Sequence, residues 1–205
     1  MKNKLFFFFS GVALFCSSCA KICTVPPINT NVNGVTVSFA SSKIPCKKVT
    51  EYEKAVKLSI DAIYSQTFET ELENYIKDSI GSGPHEKAWK GLIAGEVVKK
   101  MRIQINGEFI ETYGGPIGWF RYTFFHNIAY DGTADGPIWL NRVPLKNRNA
   151  ASIANTIAHE TAHRIGLVHP NSKVDLKIAH KEPPYVIGKI VENISSKKLL
   201  SPNAK

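Results

Sequence analysis

Methionine is almost absent from this chain: Met1 and Met101 are the only two, so nothing built by the second half rests on a methionine side chain. Cysteine is also scarce, with Cys16, Cys19, Cys23 and Cys46 all lying in the first quarter. No apolar run reaches the roughly 20 residues that a membrane-spanning helix needs. There is no internal repeat and no recognisable nucleic-acid motif, so nucleic acid is not an expected partner. Acid is in deficit, with Asp+Glu 17 against Lys+Arg 26 and a formal net charge of +9. The lysines are scattered, with short pairs at Lys47-Lys48, Lys99-Lys100 and Lys197-Lys198, and read as a solvated basic surface.

What is present is concentrated in residues 159–169, His-Glu-Thr-Ala-His-Arg-Ile-Gly-Leu-Val-His. His159 and His163 are four apart, so on a helix they share one face, one turn apart. Two imidazoles so placed can grip one Zn²⁺. Glu160 points off that axis and can reach a water on the metal without binding the metal. Gly166 lets the chain leave the helix with positive φ, which brings His169 back as a third ligand. Three protein ligands leave a fourth position open, the mark of a catalytic site. Three His, one Glu and one Gly at fixed spacing should arise by chance in roughly one chain in 10⁵.

This stretch resembles the HExxHxxGxxH motif of the metzincin clan of zinc metallopeptidases. The resemblance is specific over residues 159–169 and architectural over roughly 100–195. It implies that His159, His163 and His169 bind Zn²⁺ and that Glu160 is the general base. It also implies an α+β fold: a twisted mixed sheet, a backing helix, an active-site helix and a very small C-terminal subdomain. The methionine that the clan places in a turn after the third histidine has no counterpart here. Glu182–Gly188 is the segment expected in its place, and Tyr185 the residue expected to donate to the oxyanion. The alternative metal scheme, that of the gluzincins, would take Glu182 or Glu192 as third ligand, but leaves Gly166 and His169 unexplained.

Residues 1–18 read as a signal peptide, with Lys2 and Lys4 before the apolar run Leu5–Phe15. Phe15-Cys16-Ser17-Ser18-Cys19-Ala20 is similar to a bacterial lipobox, with lipid expected on Cys19; the alternative is ordinary cleavage near Ala20. The expected location is the cell envelope as a lipoprotein, or else the secreted or periplasmic space. Cys23 and Cys46 then remain and are expected to pair. Two free thiols, or one thiol covering the metal of a latent form, are the alternatives.

Residues 19–48, rich in Pro, Asn, Thr, Ser and Val, read as a tether plus a strand or two around Val35–Phe39, and residues 49–205 as one domain. Helical spacing from Thr50 to Ile76 predicts one helix or two broken near Ser65-Gln66, opened by a Thr50–Glu53 capping box. Gly81–Pro84 should break the chain before a helix over His85–Met101. A hairpin is expected at Asn106-Gly107, followed by strands over Trp119–Ile128 and Ile138–Asn141. The metzincin resemblance implies that the last lies at the sheet edge, where it could hold an extended peptide; an ordinary covered strand with Trp139 in the core is the alternative. Asp131–Gly136 is read as a plain turn rather than a Ca²⁺ loop. The motif helix should span Asn149–Ile165, and a final helix Val186–Ser195.

The expected function is a monomeric zinc metalloendopeptidase acting on protein or peptide. A zinc amidase acting on cell-wall peptides and a catalytically silent zinc-binding lipoprotein are the alternatives.

Overall fold

The computed structural model describes residues 21–80, 86–125, 128–131, 136–169 and 180–201. The expected signal peptide over residues 1–18, Cys16, Cys19, the Gly81–Pro84 breaker and most of the Asp131–Gly136 turn lie outside them. The described chain is mixed α+β.

Residues 20–48 are more than a tether. Strands β1 (Ile22–Val25) and β4 (Ser42–Pro45) pair antiparallel, and β2 (Ile28–Val32) and β3 (Val35–Phe39) form a hairpin between them. Its turn, Asn33-Gly34, has positive φ at both residues (52° and 79°), as a type I′ turn requires. Alternation along these strands sends Val25, Val37, Phe39 and Ile44 into the core. The disulfide Cys23–Cys46 ties β1 to the residue after β4. The expected pairing is thus present.

Helices α1 (Val49–Ile63) and α2 (Gln66–Ser79) are separate. Ser65 makes the break by accepting the Phe68 N–H at 3.1 Å as a helix cap. The expected capping box is not formed: a 3₁₀ turn over Cys46–Lys48 runs directly into α1, and Thr50 already lies within the helix. The helix expected over His85–Met101 is divided into α3 (Glu86–Trp89) and α4 (Ala94–Gln104), with Gly91 at φ 81° between them.

No hairpin forms at Asn106-Gly107. The chain there leaves α4 and docks on β3: Asn106 Oδ1 accepts the Ser38 N–H at 2.9 Å, and the Gly107 N–H donates to the Ser38 carbonyl at 2.6 Å. Strand β5 (Ile110–Tyr113) follows, then helix α5 (Gly115–Phe125), where strand had been expected. Strands β6 (Ala129–Asp131) and β7 (Ile138–Asn141) complete a sheet of order β5-β7-β6, parallel between β5 and β7 and antiparallel between β7 and β6. Ile138–Asn141 is therefore the central strand, not the edge. Its backbone groups are used on both sides, and β5 and β6 are the outer strands of this sheet.

After the short helix α6 (Arg142–Leu145) comes the motif helix α7 (Ala150–Arg164), capped by Asn149, whose Oδ1 accepts the Ser152 N–H at 2.9 Å. Helix α8 (Pro183–Leu200) begins three residues earlier than expected. Pro183 and Pro184 form its first turn rather than a turn before it. Proline suits that place because first-turn N–H groups have no helical partner in any case.

Helix α7 is held from both sides. On α1, Glu51 Oε1 accepts the Ala150 N–H at 2.9 Å, a second cap at the start of α7. Buried Ala55, Ser59 and Ala154 let the two helices come close, and Ser59 Oγ reaches the Ala154 carbonyl at 3.4 Å. On α8, Gly188 faces Asn155: a Cβ at 188 would stand 2.9 Å from the Asn155 carbonyl oxygen, too close for any side chain. Ile153, Ile157, Ile187 and Val191 fill the layer between them. Each such side chain contributes roughly 1.5–3 kcal/mol when fully buried. Among the described residues, the small C-terminal subdomain is this one helix, sharing the main core.

Candidate metal centre

Helix α7 ends in a two-bond cap. The Leu167 N–H donates to the Ala162 carbonyl at 3.1 Å and the Gly166 N–H to the His163 carbonyl at 2.9 Å, with Gly166 at φ 93°. This is a Schellman motif, and it turns the chain sharply back. A Cβ on Gly166 would meet nothing within 4 Å, so the position demands glycine for its backbone conformation alone. Gly166→Ala is expected to cost about 1–2 kcal/mol from the left-handed conformation. A thermal or denaturant melt checks this. Unchanged stability would mean that the turn does not need its glycine.

The turn brings His169 to the two helical histidines. One nitrogen from each of His159, His163 and His169 lies within 4.8 Å of the others, and His159 Nε2 and His169 Nε2 are 3.2 Å apart. Two imidazole nitrogens on one tetrahedral ion at about 2.0–2.1 Å are about 3.3 Å apart. The spacing fits a shared ion.

Each ring is fixed by a second contact. His163 Nδ1 is 2.8 Å from the Leu167 carbonyl, so the same reversal that delivers His169 also orients His163. His169 Nδ1 faces Glu182 Oε2 at 3.3 Å. The His159 ring donates to the Pro184 carbonyl. Metal-binding histidines are held in this way, with the remaining ring N–H given to a carbonyl or carboxylate. Burial, helped by the other two imidazoles, pushes the His159 pKa down to about 3. Burial and His163 also lower that of His169, against the pull of Glu182. Both rings are thus neutral, the form that binds a metal.

Glu160 is buried on α7 beside His159, only 5 % exposed. Tyr185, on the first turn of α8, lies against the cluster, with its ring centroid 4.5 Å from that of His169 and 4.7 Å from that of His159. Burial raises its pKa, and the Glu160 and Glu182 carboxylates add to the effect. The phenol therefore keeps its proton at neutral pH. The structure brings the three histidines and the Tyr185 ring together, with Glu160 next to His159 in the same helix, and Glu182–Gly188 borders the histidines as the start of a helix rather than as a turn.

Neither glutamate of the alternative scheme joins the three-nitrogen group. Glu182, fully buried, stands behind His169 on its Nδ1 side. It is positioned by Trp89, whose Nε1 donates to the neighbouring Lys181 carbonyl at 2.8 Å. Glu192 is on the far side of Asn155 and pairs with Lys189 at 2.8 Å.

Compared with family models, with curated proteins and with solved structures, the chain matches none. The histidine cluster and its supports carry the functional argument alone.

The support beneath α7 is not legible in the residue pattern. Glu108, almost fully buried, accepts from Thr161 Oγ1 at 2.7 Å and lies 3.9 Å from Arg164 Nη1. Arg164 in turn donates to the Gly136 carbonyl at 2.7 Å. These contacts lock the last turn of the motif helix to the sheet. Thr161 and Arg164 occupy variable positions of the motif, and Glu108 is about fifty residues away, so spacing alone could not have paired them.

Proposed function

We propose that this chain is a zinc-dependent metallopeptidase of metzincin type, exported and held at the cell envelope by lipid on Cys19. The observation that carries the reading is the set of three converging imidazoles, each oriented by a second group, with a buried carboxylate adjacent in sequence. Three nitrogen ligands with room for a fourth group suit Zn²⁺. Zinc held there would supply a Lewis acid and bring the pKa of water towards about 7.

The chain's own groups supply the rest. Glu160 accepts the proton of the attacking water at its carboxylate and then delivers it to the departing amine nitrogen. Tyr185, kept protonated by burial and by two carboxylates, donates its O–H to the carbonyl oxygen as negative charge develops there. Glu182 holds the His169 ring in place and takes no part in proton transfer to substrate. An extended peptide can lie along β6, since β7 is internal.

The test is a cleavage screen of the whole chain on mixed proteins and on cell-wall peptide, with and without chelator. Chelator-sensitive cleavage of proteins is expected. Cleavage confined to cell-wall peptide would reassign the substrate, and a zinc-loaded chain inert on both would leave a binding lipoprotein. Tyr185→Phe is expected to lower kcat by roughly 10–10³-fold with little change in KM, the scale of losing one oxyanion donor. An unchanged kcat would make Tyr185 a packing residue only.

A further inference from the structure

Helix α5 wears its apolar side chains on the outside. Ile117, Trp119, Phe120, Phe124 and Phe125 are 49–69 % exposed, and Gly118 is the only buried residue of the helix. The rings pack on one another rather than on the core: Phe120 meets Phe124 at 4.8 Å and Phe125 at 5.8 Å, and Trp119 meets Phe124 at 6.3 Å between centroids. The attachment to the sheet is polar. Asn141 Nδ2 donates to the Gly118 carbonyl at 2.8 Å, and the Arg121 guanidinium lies over the rings of Tyr113 and Tyr130. Exposed aromatic area of this size marks a surface that something covers.

The charge pattern and the path of the chain indicate what covers it. No acidic residue occurs between Glu111 and Asp131, Arg121 is exposed, and the whole chain is basic, so this stretch of the chain carries no charge that repels an anionic surface. Strand β4 lies beside β5 and runs the same way, since Ser42 Oγ accepts the Ile110 N–H and Thr112 Oγ1 donates to the Lys43 carbonyl. Strand β1 is antiparallel to β4, with Ile22 opposite Pro45. Lys21 therefore sits at the same end of the strands as Tyr113, just before α5, with β4 alone between β1 and β5. The segment containing Cys19 joins the described chain at the end of the sheet that carries the aromatic helix.

We propose that α5 is a membrane-docking helix that inserts its aromatic side chains into the interface of an anionic bilayer. Its 11 residues are too few to cross a bilayer, and no described helix is long and apolar enough to do so. An apolar helix rich in Trp and Phe, with a cation among them, suits the boundary between headgroups and acyl chains. Such a contact would supply a second attachment beside a lipid on Cys19 and fix the orientation of the domain. It does not depend on the metal centre.

Tryptophan fluorescence of the whole chain tests this on vesicles of phosphatidylglycerol and phosphatidylethanolamine carrying brominated acyl chains. Trp119 emission should shift to the blue and be quenched by bromine, and Trp119→Phe should remove that quenching. Phe120→Ser/Phe124→Ser/Phe125→Ser changes only exposed side chains outside the core and should leave the circular dichroism intact. It should weaken vesicle partition of α5, read at Trp119, by at least about tenfold. Trp119 equally open to aqueous quencher with and without vesicles would overturn the proposal. So would a dimer in sedimentation that the triple substitution splits while lipid leaves Trp119 unquenched, since the patch would then serve a second copy.

Discussion

Glu160→Gln is expected to keep about one zinc per chain while peptide cleavage falls by roughly 10²–10⁴-fold, the usual worth of a positioned general base. The substitution preserves volume and one acceptor oxygen but removes the group that takes a proton. Glu160 contributes no atom to the three-nitrogen cluster, so metal content should not follow activity. The residue is buried and Gln has nearly the same shape, so a neutral amide should be accommodated without unfolding. Metal analysis beside a cleavage assay separates the two properties. Undiminished cleavage would remove Glu160 from the mechanism, and loss of zinc would make it part of the binding site.

His169→Ala should lose both properties, with zinc affinity falling by more than about 100-fold, beyond the range for losing an outer-shell partner. The remaining pair, His159 and His163, belongs to one helix and gives two ligands only. Glu182 is the nearest carboxylate, but it contacts His169 at Nδ1, the side away from the shared nitrogens. To replace the ring it would have to cross the space the ring occupied, from the N-cap of a helix anchored by Gly188 against Asn155. Full zinc occupancy in His169→Ala would show that Glu182 or Glu192 serves as the third ligand and would overturn the metzincin reading.

The two Asn-Gly pairs show where local sequence stops being decisive. Asn33-Gly34 lies between two alternating apolar runs and makes the I′ hairpin; it was nevertheless absorbed into the expected tether. Asn106-Gly107 has the same local preference and makes no hairpin. The residues before it, Val97, Val98, Met101 and Ile105, have helical spacing and are buried as the face of α4 and its C-cap. Packing of a whole helical face outweighs a two-residue turn preference. The aromatic run 119–125 misleads in the opposite sense. β-propensity reflects fit to a half-buried pleated surface, and α5 lies on no such surface.

The sequence by itself determined the parts in which each residue acts through its immediate neighbours. The i, i+4 pair His159 and His163, the reversal at Gly166 and the arrival of His169 all fall within one helix and its exit, so spacing implies geometry. The Cys23–Cys46 bond was legible for another reason: only those two thiols remain once Cys16 and Cys19 are assigned elsewhere. Tertiary structure alone decided that Ile138–Asn141 is an inner strand and that Glu182 supports His169 rather than replacing it. It also decided that Glu108 fastens the base of α7 and that α5 turns its aromatic rings outward. Each of these depends on which distant segment lies alongside, and a single chain's residue pattern carries no record of that.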